Sequence, residues 1–348
     1  MHLAVVAEQL RASVPGGTGR YTAELLSALR ATAGKGERIT DWYAPGTAGG
    51  GRIDRLRQPL LAELWRRGMG PSPHADCVFA PTLLVPPRRG RPLVATIHDA
   101  VPWTHPETLT ARGARWHREM AERVADEADV VVTPTAAVAR ELAAHISLPR
   151  VEVIGEGVSE QIRAVPPDAE ERAARLNLPV SYALAVGTLE PRKGLDVVAA
   201  ALSEPAWPDL PLLIAGPGGW GDALVAAADS SRIRLLGRLA DLDLATVYSR
   251  AQVLVMASRA EGFGLPVLEA MSHGVPVVIS DAPALVEVAG GAAVVTPRGD
   301  APALAAAVAS AVAERELWSK AGLVRSKDFS WEAAAVHLWE ICRNLLST

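Results

Sequence analysis

The chain has 348 residues, 49% of them hydrophobic and 5% aromatic, with 35 basic against 39 acidic side chains and a formal net charge of −4. That length predicts two domains, each able to bury a core, and the near-neutral balance argues against a general nucleic-acid binder, so any basic site is local. No uncharged apolar run reaches the ~18 residues of a membrane span, which leaves peripheral contact as the only membrane role.

The N-terminal "MHLAVVAEQL" lacks a basic leader, and its apolar run stops at Glu8, so it reads as a first strand rather than a signal peptide. Only Cys77 and Cys342 are present, and two buried reduced thiols are expected rather than a disulfide, in keeping with a cytoplasmic protein. In the first half, short apolar runs predict strands at 3–7, 77–81, 92–99, 129–134 and 151–155. Helices fall between them, one opening at Gly16 to Gly19 and running over about 18–30, another capped by Thr135. The segment 52–68, "RIDRLRQPLLAELWRRG", carries five arginines against two acids beside Leu56, Leu60, Leu61, Leu64 and Trp65. It suits a surface helix capping the core, or a basic amphipathic segment touching an anionic membrane.

Proline and charge take over at 163–181, which marks a domain boundary. The second half repeats the plan with strands at 182–187, 211–216, 233–237, 252–258, 275–280 and 292–296, and the Ala-rich stretch 302–312 is a helix by propensity. Strands alternating with helices predict an α/β fold of two Rossmann-like doubly wound domains facing a cleft, with ligands at the carboxyl ends of the strands.

Three motifs point elsewhere. "GPGGWG" at 216–221 has the dinucleotide spacing, but the next strand ends in Gly237 and Arg238 instead of an acid. "DLD" at 241–243 has the look of a metal-binding pair, yet aspartates also belong in a helix first turn, and "DEAD" at 126–129 has no phosphate-binding P-loop to accompany it.

The informative stretch is "SRAEGFGLPVLEAMSHGVPVVISD", 258–281. A strand ends, a glycine-rich turn follows, and a short helix starts with Pro266 near its first position and Gly274 after its end. First-turn amides and the helix dipole favour an anion such as phosphate there, and Gly262 and Gly264 let the backbone approach it. Glu269, about one turn inside the helix, suits the vicinal hydroxyls of a ribose. Glu261, on the turn, faces whatever lies beyond the phosphate.

The pattern E-G-F-G-L-P-x-L-E-A-M-x-x-G-x-P-V-V, Glu261 to Val278, resembles the signature of the retaining, nucleotide-sugar-dependent glycosyltransferases of family 4. "PGGTGRYTAELLSAL", "TIHDAVPWTHPE", "AVGTLEPRKGLDVVAAAL" and "FSWEAAAVHLWEICR" extend the resemblance along nearly the whole chain. It implies the GT-B architecture, with 1–172 as the acceptor-side domain, 173–330 as the nucleotide-sugar domain, and a final helix, 331–348, crossing back to the first. The resemblance assigns Glu269 to the nucleotide ribose, Phe263, Gly264 and Leu265 to backbone contacts with donor sugar and phosphate, and Glu261 to the transferred sugar. It assigns Arg192 and Lys193 to the donor diphosphate, where fixed cations meet the charge of the leaving group. Where many members carry an arginine after Gly187, here counted in the donor site, this chain has Thr188.

In the family a histidine at the place of His98 meets the transferred sugar, although His98 also suits a structural role, and with Asp99 it makes no complete metal set. Gly16 and Gly17 match the flexible glycine turn near phosphate and acceptor. The resemblance therefore implies transfer of a hexose from a nucleoside diphosphate to a glycan, lipid-linked or small-molecule hydroxyl, with no metal or other cofactor. It leans to a subgroup of bacterial polysaccharide mannosyltransferases, hence GDP-mannose, with UDP-glucose, UDP-N-acetylglucosamine and dTDP-rhamnose as other donors. An epimerase or phosphorylase on the same plan, and a non-catalytic glycan-binding relative, are the alternatives.

Overall fold

The structure, a computed structural model, describes residues 1–12, 16–44, 60–218 and 232–347. The chain forms two compact units, Met1–Glu156 with Ser330–Thr348, and Gly157–Phe329. Each holds a six-stranded sheet in which every recorded pairing is parallel.

In the first unit the strands are β1 (His2–Val6), β2 (Arg38–Trp42), β3 (Cys77–Ala80), β4 (Leu93–Thr96), β5 (Val130–Thr133) and β6 (Arg150–Val153), in the order β2-β1-β3-β4-β5-β6. Four of them are continuous apolar runs because parallel strands covered by helices are buried on both faces. The strand not expected from sequence, β2 "RITDW", lies at the edge, pairs among the described residues only with β1 and is half exposed, so it carries little apolar signal. The helix Gly16–Ala31 begins where expected, and Thr135 caps Ala136–Ala143 by accepting from Val138 N.

The last helix, Trp331–Ser347, belongs to this first unit and packs on Gly16–Ala31, with buried Trp339 donating from Nε1 to Leu29 O at 3.2 Å. It also brings Cys342 beside Cys77; both are buried and free, and that neighbour together with burial holds the Cys342 thiol well above its ordinary pKa. Of the basic segment 52–68, residues 60–66 are helical and bury Leu61 and Trp65; the remainder up to 59 lies outside the described residues. Among the described residues no helix is long and apolar enough to cross a membrane.

In the second unit β7 (Ala183–Val186), β8 (Leu212–Ala215), β9 (Ile233–Gly237), β10 (Val253–Met256), β11 (Val277–Ser280) and β12 (Val294–Thr296) run in the order β12-β11-β10-β7-β8-β9. Alternate residues sort to opposite faces: Leu184, Leu213 and Leu254 enter one apolar cluster, while Ala183, Ala185, Leu212, Ile214, Val253 and Val255 enter the other. The stretch 163–181 lies inside this unit, where Arg172 and Arg175 pair with Asp243. Asp241 and Asp243 indeed open the helix Asp241–Arg250.

The strand order matters for function. From β7 the chain winds outward through β8 and β9, then returns to place β10 on the other side of β7. The β7/β10 boundary is therefore a topological switch point, where connections leave in opposite directions and open a crevice at the carboxyl ends. In the first sheet the corresponding boundary lies between β1 and β3.

Candidate functional site

The loops leaving β7 and β10 carry the residues singled out in the second half. Val186 gives way to Gly187 and the turn Pro191–Lys193; Met256 gives way to Ser258 and the turn before the helix Leu265–Ser272. Glycines allow the loops to touch. At Gly194, with φ 63°, a Cβ would lie 2.0 Å from the Ala257 carbonyl oxygen, and at Gly216 one would lie 2.0 Å from Gly187 O. The first glycine of "GPGGWG" is thus explained by backbone contact with Gly187 rather than by a dinucleotide; 219–221 lie outside the described residues. Gly194→Ala is expected to destabilise by at least ~2 kcal/mol, since both the left-handed backbone and the carbonyl oppose it. A urea melt reads this directly.

The charged groups meet across these loops. Glu261 Oε1 accepts from Lys193 Nζ at 2.7 Å and from Ser258 Oγ at 2.7 Å, while Oε2 accepts from Arg192 Nη1 at 3.0 Å. Arg192 Nη1 also donates to Ala260 O at 3.0 Å, and Nη2 donates to Glu190 Oε1 at 2.6 Å. Burial by itself would raise the Glu261 pKa, but Lys193, Arg192 and Ser258 outweigh it and bring the carboxyl to about 2. The carboxylate is therefore ionised throughout the physiological range.

Glu269 lies on the helix Leu265–Ser272, 2% exposed, and its Oε2 accepts from the Tyr248 hydroxyl at 2.7 Å. The Tyr248 ring stacks on His273 with centroids 5.9 Å apart. Between the two glutamates, Phe263 is buried edge-on against Phe329 at 5.6 Å, so only its backbone is placed to serve a ligand. Gly264 caps the helix with φ 99°, and a Cβ there would come 2.5 Å from Leu285 Cδ2. Its glycine is required by packing and backbone alike, which adds to the close-approach role expected from sequence. Leu265 packs half-buried on the core beside it. At Gly187, φ 153°, a Cβ would crowd the Lys193 stem at 3.3 Å, so the glycine leaves that side chain its path.

The remaining predicted residues belong to the first unit, at the carboxyl ends of β1 and β4. His98 follows β4, and its Nε2 donates to Pro81 O at 2.8 Å, with Nδ1 4.0 Å from Glu156 Oε1. Burial lowers the His98 pKa, so the ring is neutral at pH 7, and with Nε2 committed to Pro81 it is Nδ1 that remains to meet a ligand. Tyr21 packs edge-on against the ring at 4.7 Å and donates or accepts at Thr96 Oγ1 at 3.2 Å. Gly16 has φ 64° and Gly17 has no unusual backbone; a Cβ at either would meet nothing within 4 Å. Gly17→Ala is therefore expected to leave the thermal midpoint unchanged or slightly higher, alanine being favoured in a helix by up to about 1 kcal/mol. A several-fold loss of turnover in that variant would report close approach of a substrate to this turn.

The structure thus brings together Arg192, Lys193 and Glu261, with Gly187, Phe263, Gly264 and Leu265 on the same two loops. Sequence reasoning did not name Glu190, Ser258, Tyr248, Tyr21 or Glu156. Only Glu190 left a signal, an acid two residues before a paired cation. Among the described residues no group of three His, Cys, Asp or Glu is arranged to hold a metal ion.

Comparison with known proteins bears on the family and the fold. The profile of Glycosyltransferase Family 4 matches residues 15–161, and that of Glycosyl transferases group 1 matches 181–314. The O-antigen chain mannosyltransferase B of Escherichia coli is 31% identical over 303 residues, covering 79% of this chain and 78% of that protein. A serotype-specific mannosyltransferase, WbdA, of Escherichia coli is 30% identical over 216 residues, which span 56% of this chain and 26% of that longer protein. Sucrose-phosphate synthase from Thermosynechococcus elongatus has the same fold, with a TM-score of 0.77, 22% identity and coverage of 100% of this chain and 99% of the other.

Proposed function

Because the chain belongs to the family 4 glycosyltransferases and has their GT-B fold, we propose that it transfers mannose from GDP-mannose to a hydroxyl of a glycan or lipid-linked acceptor, with retention and without a metal. The observation that carries this reading is the 31% identity to a mannosyltransferase over 79% of the chain.

The site chemistry supports it. The leaving diphosphate gains negative charge as the glycosidic bond breaks, and Lys193 with the amino terminus of Leu265–Ser272 supplies fixed positive charge at the switch point. Glu269, held by Tyr248, suits the ribose hydroxyls. Glu261, held ionised by three donors, faces the sugar rather than acting as a proton donor. Among the described residues no side chain stands out as a covalent nucleophile, which favours the leaving phosphate itself taking the acceptor proton on the face from which it departs.

The test is turnover of GDP-mannose, UDP-glucose, UDP-N-acetylglucosamine and dTDP-rhamnose with and without EDTA, with the anomeric proton of the product followed by NMR. GDP-mannose consumption that survives EDTA and yields an α-mannoside supports the proposal. Preference for another donor, loss with EDTA, or an inverted product overturns the corresponding part.

A further inference from the structure

The family resemblance treats Arg192 and Lys193 as two equivalent cations for the donor diphosphate, but their surroundings differ. Arg192 is spent on the protein: Nη1 bridges Ala260 O and Glu261 Oε2, Nη2 is held by Glu190 Oε1, and its own carbonyl accepts from Arg259 N at 2.7 Å. Arg259 in turn reaches Asp196, in the first turn of the helix Leu195–Ala201, with two bonds at 2.9 and 2.6 Å, so the loop after β10 is also tied to the chain just beyond Arg192. Lys193 has one carboxylate partner among the described residues, Glu261 Oε1 at 2.7 Å, on an ammonium with three N–H groups. Its flexible stem runs past Gly187, where no Cβ obstructs it.

We propose that Arg192 is a positioning residue. Clamped by Glu190, its planar fork ties successive residues Ala260 and Glu261 and so fixes the aim of the Glu261 carboxylate, while Lys193 is the cation that turns to the donor diphosphate. A planar guanidinium can span a carbonyl and two carboxylates in one arrangement, which a point-charge ammonium cannot. Glu190 acts only through Arg192.

This inference rests on the donor-site reading above, and calorimetric titration with GDP, with UDP and dTDP in parallel, separates the two. If none of the three binds the wild type, the donor-site reading fails and this one with it. Where GDP binds, Lys193→Gln should raise its Kd by roughly 10-fold or more, as expected for losing a charge-assisted contact. Arg192→Gln should leave that Kd within about 3-fold of wild type while lowering kcat for GDP-mannose at least ~10-fold. Glu190→Gln should lower kcat too, and the Glu190→Gln/Arg192→Gln double variant should be no slower than Arg192→Gln alone. Arg192→Lys keeps the charge and should not restore kcat; thermal midpoints of all variants confirm that folded protein is compared. Weakening of GDP by Arg192→Gln as severe as by Lys193→Gln, full rescue by Arg192→Lys, or additive loss in the double variant would each overturn the assignment.

Discussion

Lys193→Gln is expected to lower kcat by on the order of 100-fold or more, the range seen when a preorganised group facing transition-state charge is removed. The ammonium lies at the β7/β10 switch point, 15% exposed, with the Glu261 carboxylate 2.7 Å away. Partly withdrawn from water, it is worth more to a developing phosphate charge than an exposed lysine would be. Glutamine keeps much of the length and some hydrogen bonding, so the loss isolates the charge. The fold should survive, because Glu261 retains Arg192 and Ser258. Steady-state kinetics with a thermal melt on the same preparation checks both halves of this expectation.

Glu261→Gln is expected to remove roughly 3 to 4 kcal/mol of stability at pH 7 as well as most turnover. The magnitude follows from the carboxyl pKa, brought from 4.5 to about 2, at roughly 1.4 kcal/mol per unit. An amide can neither neutralise Lys193 and Arg192 nor accept all three of the donors now on the carboxylate, and removing one partner of a buried charge group leaves the others uncompensated. The sign fixes the pH window. A depressed carboxyl pKa contributes fully above its ordinary value of 4.5, and that contribution is lost as pH falls through about 2. The wild-type advantage over Glu261→Gln should therefore be full at pH 7 and less than half as large at pH 3. Urea unfolding of both proteins at the two pH values measures it, and an advantage independent of pH would show that Glu261 stabilises by packing rather than by charge.

The fold was legible where burial on both faces wrote an unbroken apolar run, as in "DVVVTP" and "QVLVMAS". It was illegible at β2, whose edge position admits Arg38, Thr40 and Asp41 among its five residues. The site was legible as composition but not as geometry. Glu261 and Lys193 each stood out in its own motif, yet 68 residues separate them, and nothing in either stretch says that the carboxylate closes an ion pair with the lysine. Tyr248 is a similar case. It reads as an ordinary core aromatic of the helix Asp241–Arg250, and only the packing of that helix on Leu265–Ser272 turns its hydroxyl into the partner of Glu269. His98 follows β4 as expected, but the Pro81 carbonyl that claims its Nε2 comes from the residue just after β3, a neighbour in the sheet rather than in the chain.

Central to the proposed function is a nucleoside-diphosphate site at the β7/β10 switch point that relies on Lys193. It is tested most directly by thermal shift of the wild type and Lys193→Gln against saturating GDP, UDP and dTDP, with and without EDTA. Selective binding stabilises by mass action, by about 2.7 kcal/mol at a hundredfold excess over Kd. The expected result is a rise of several degrees with GDP in the wild type, kept in EDTA and much reduced in the variant. No rise with any of the three, or an equal rise in both proteins, would contradict the claim.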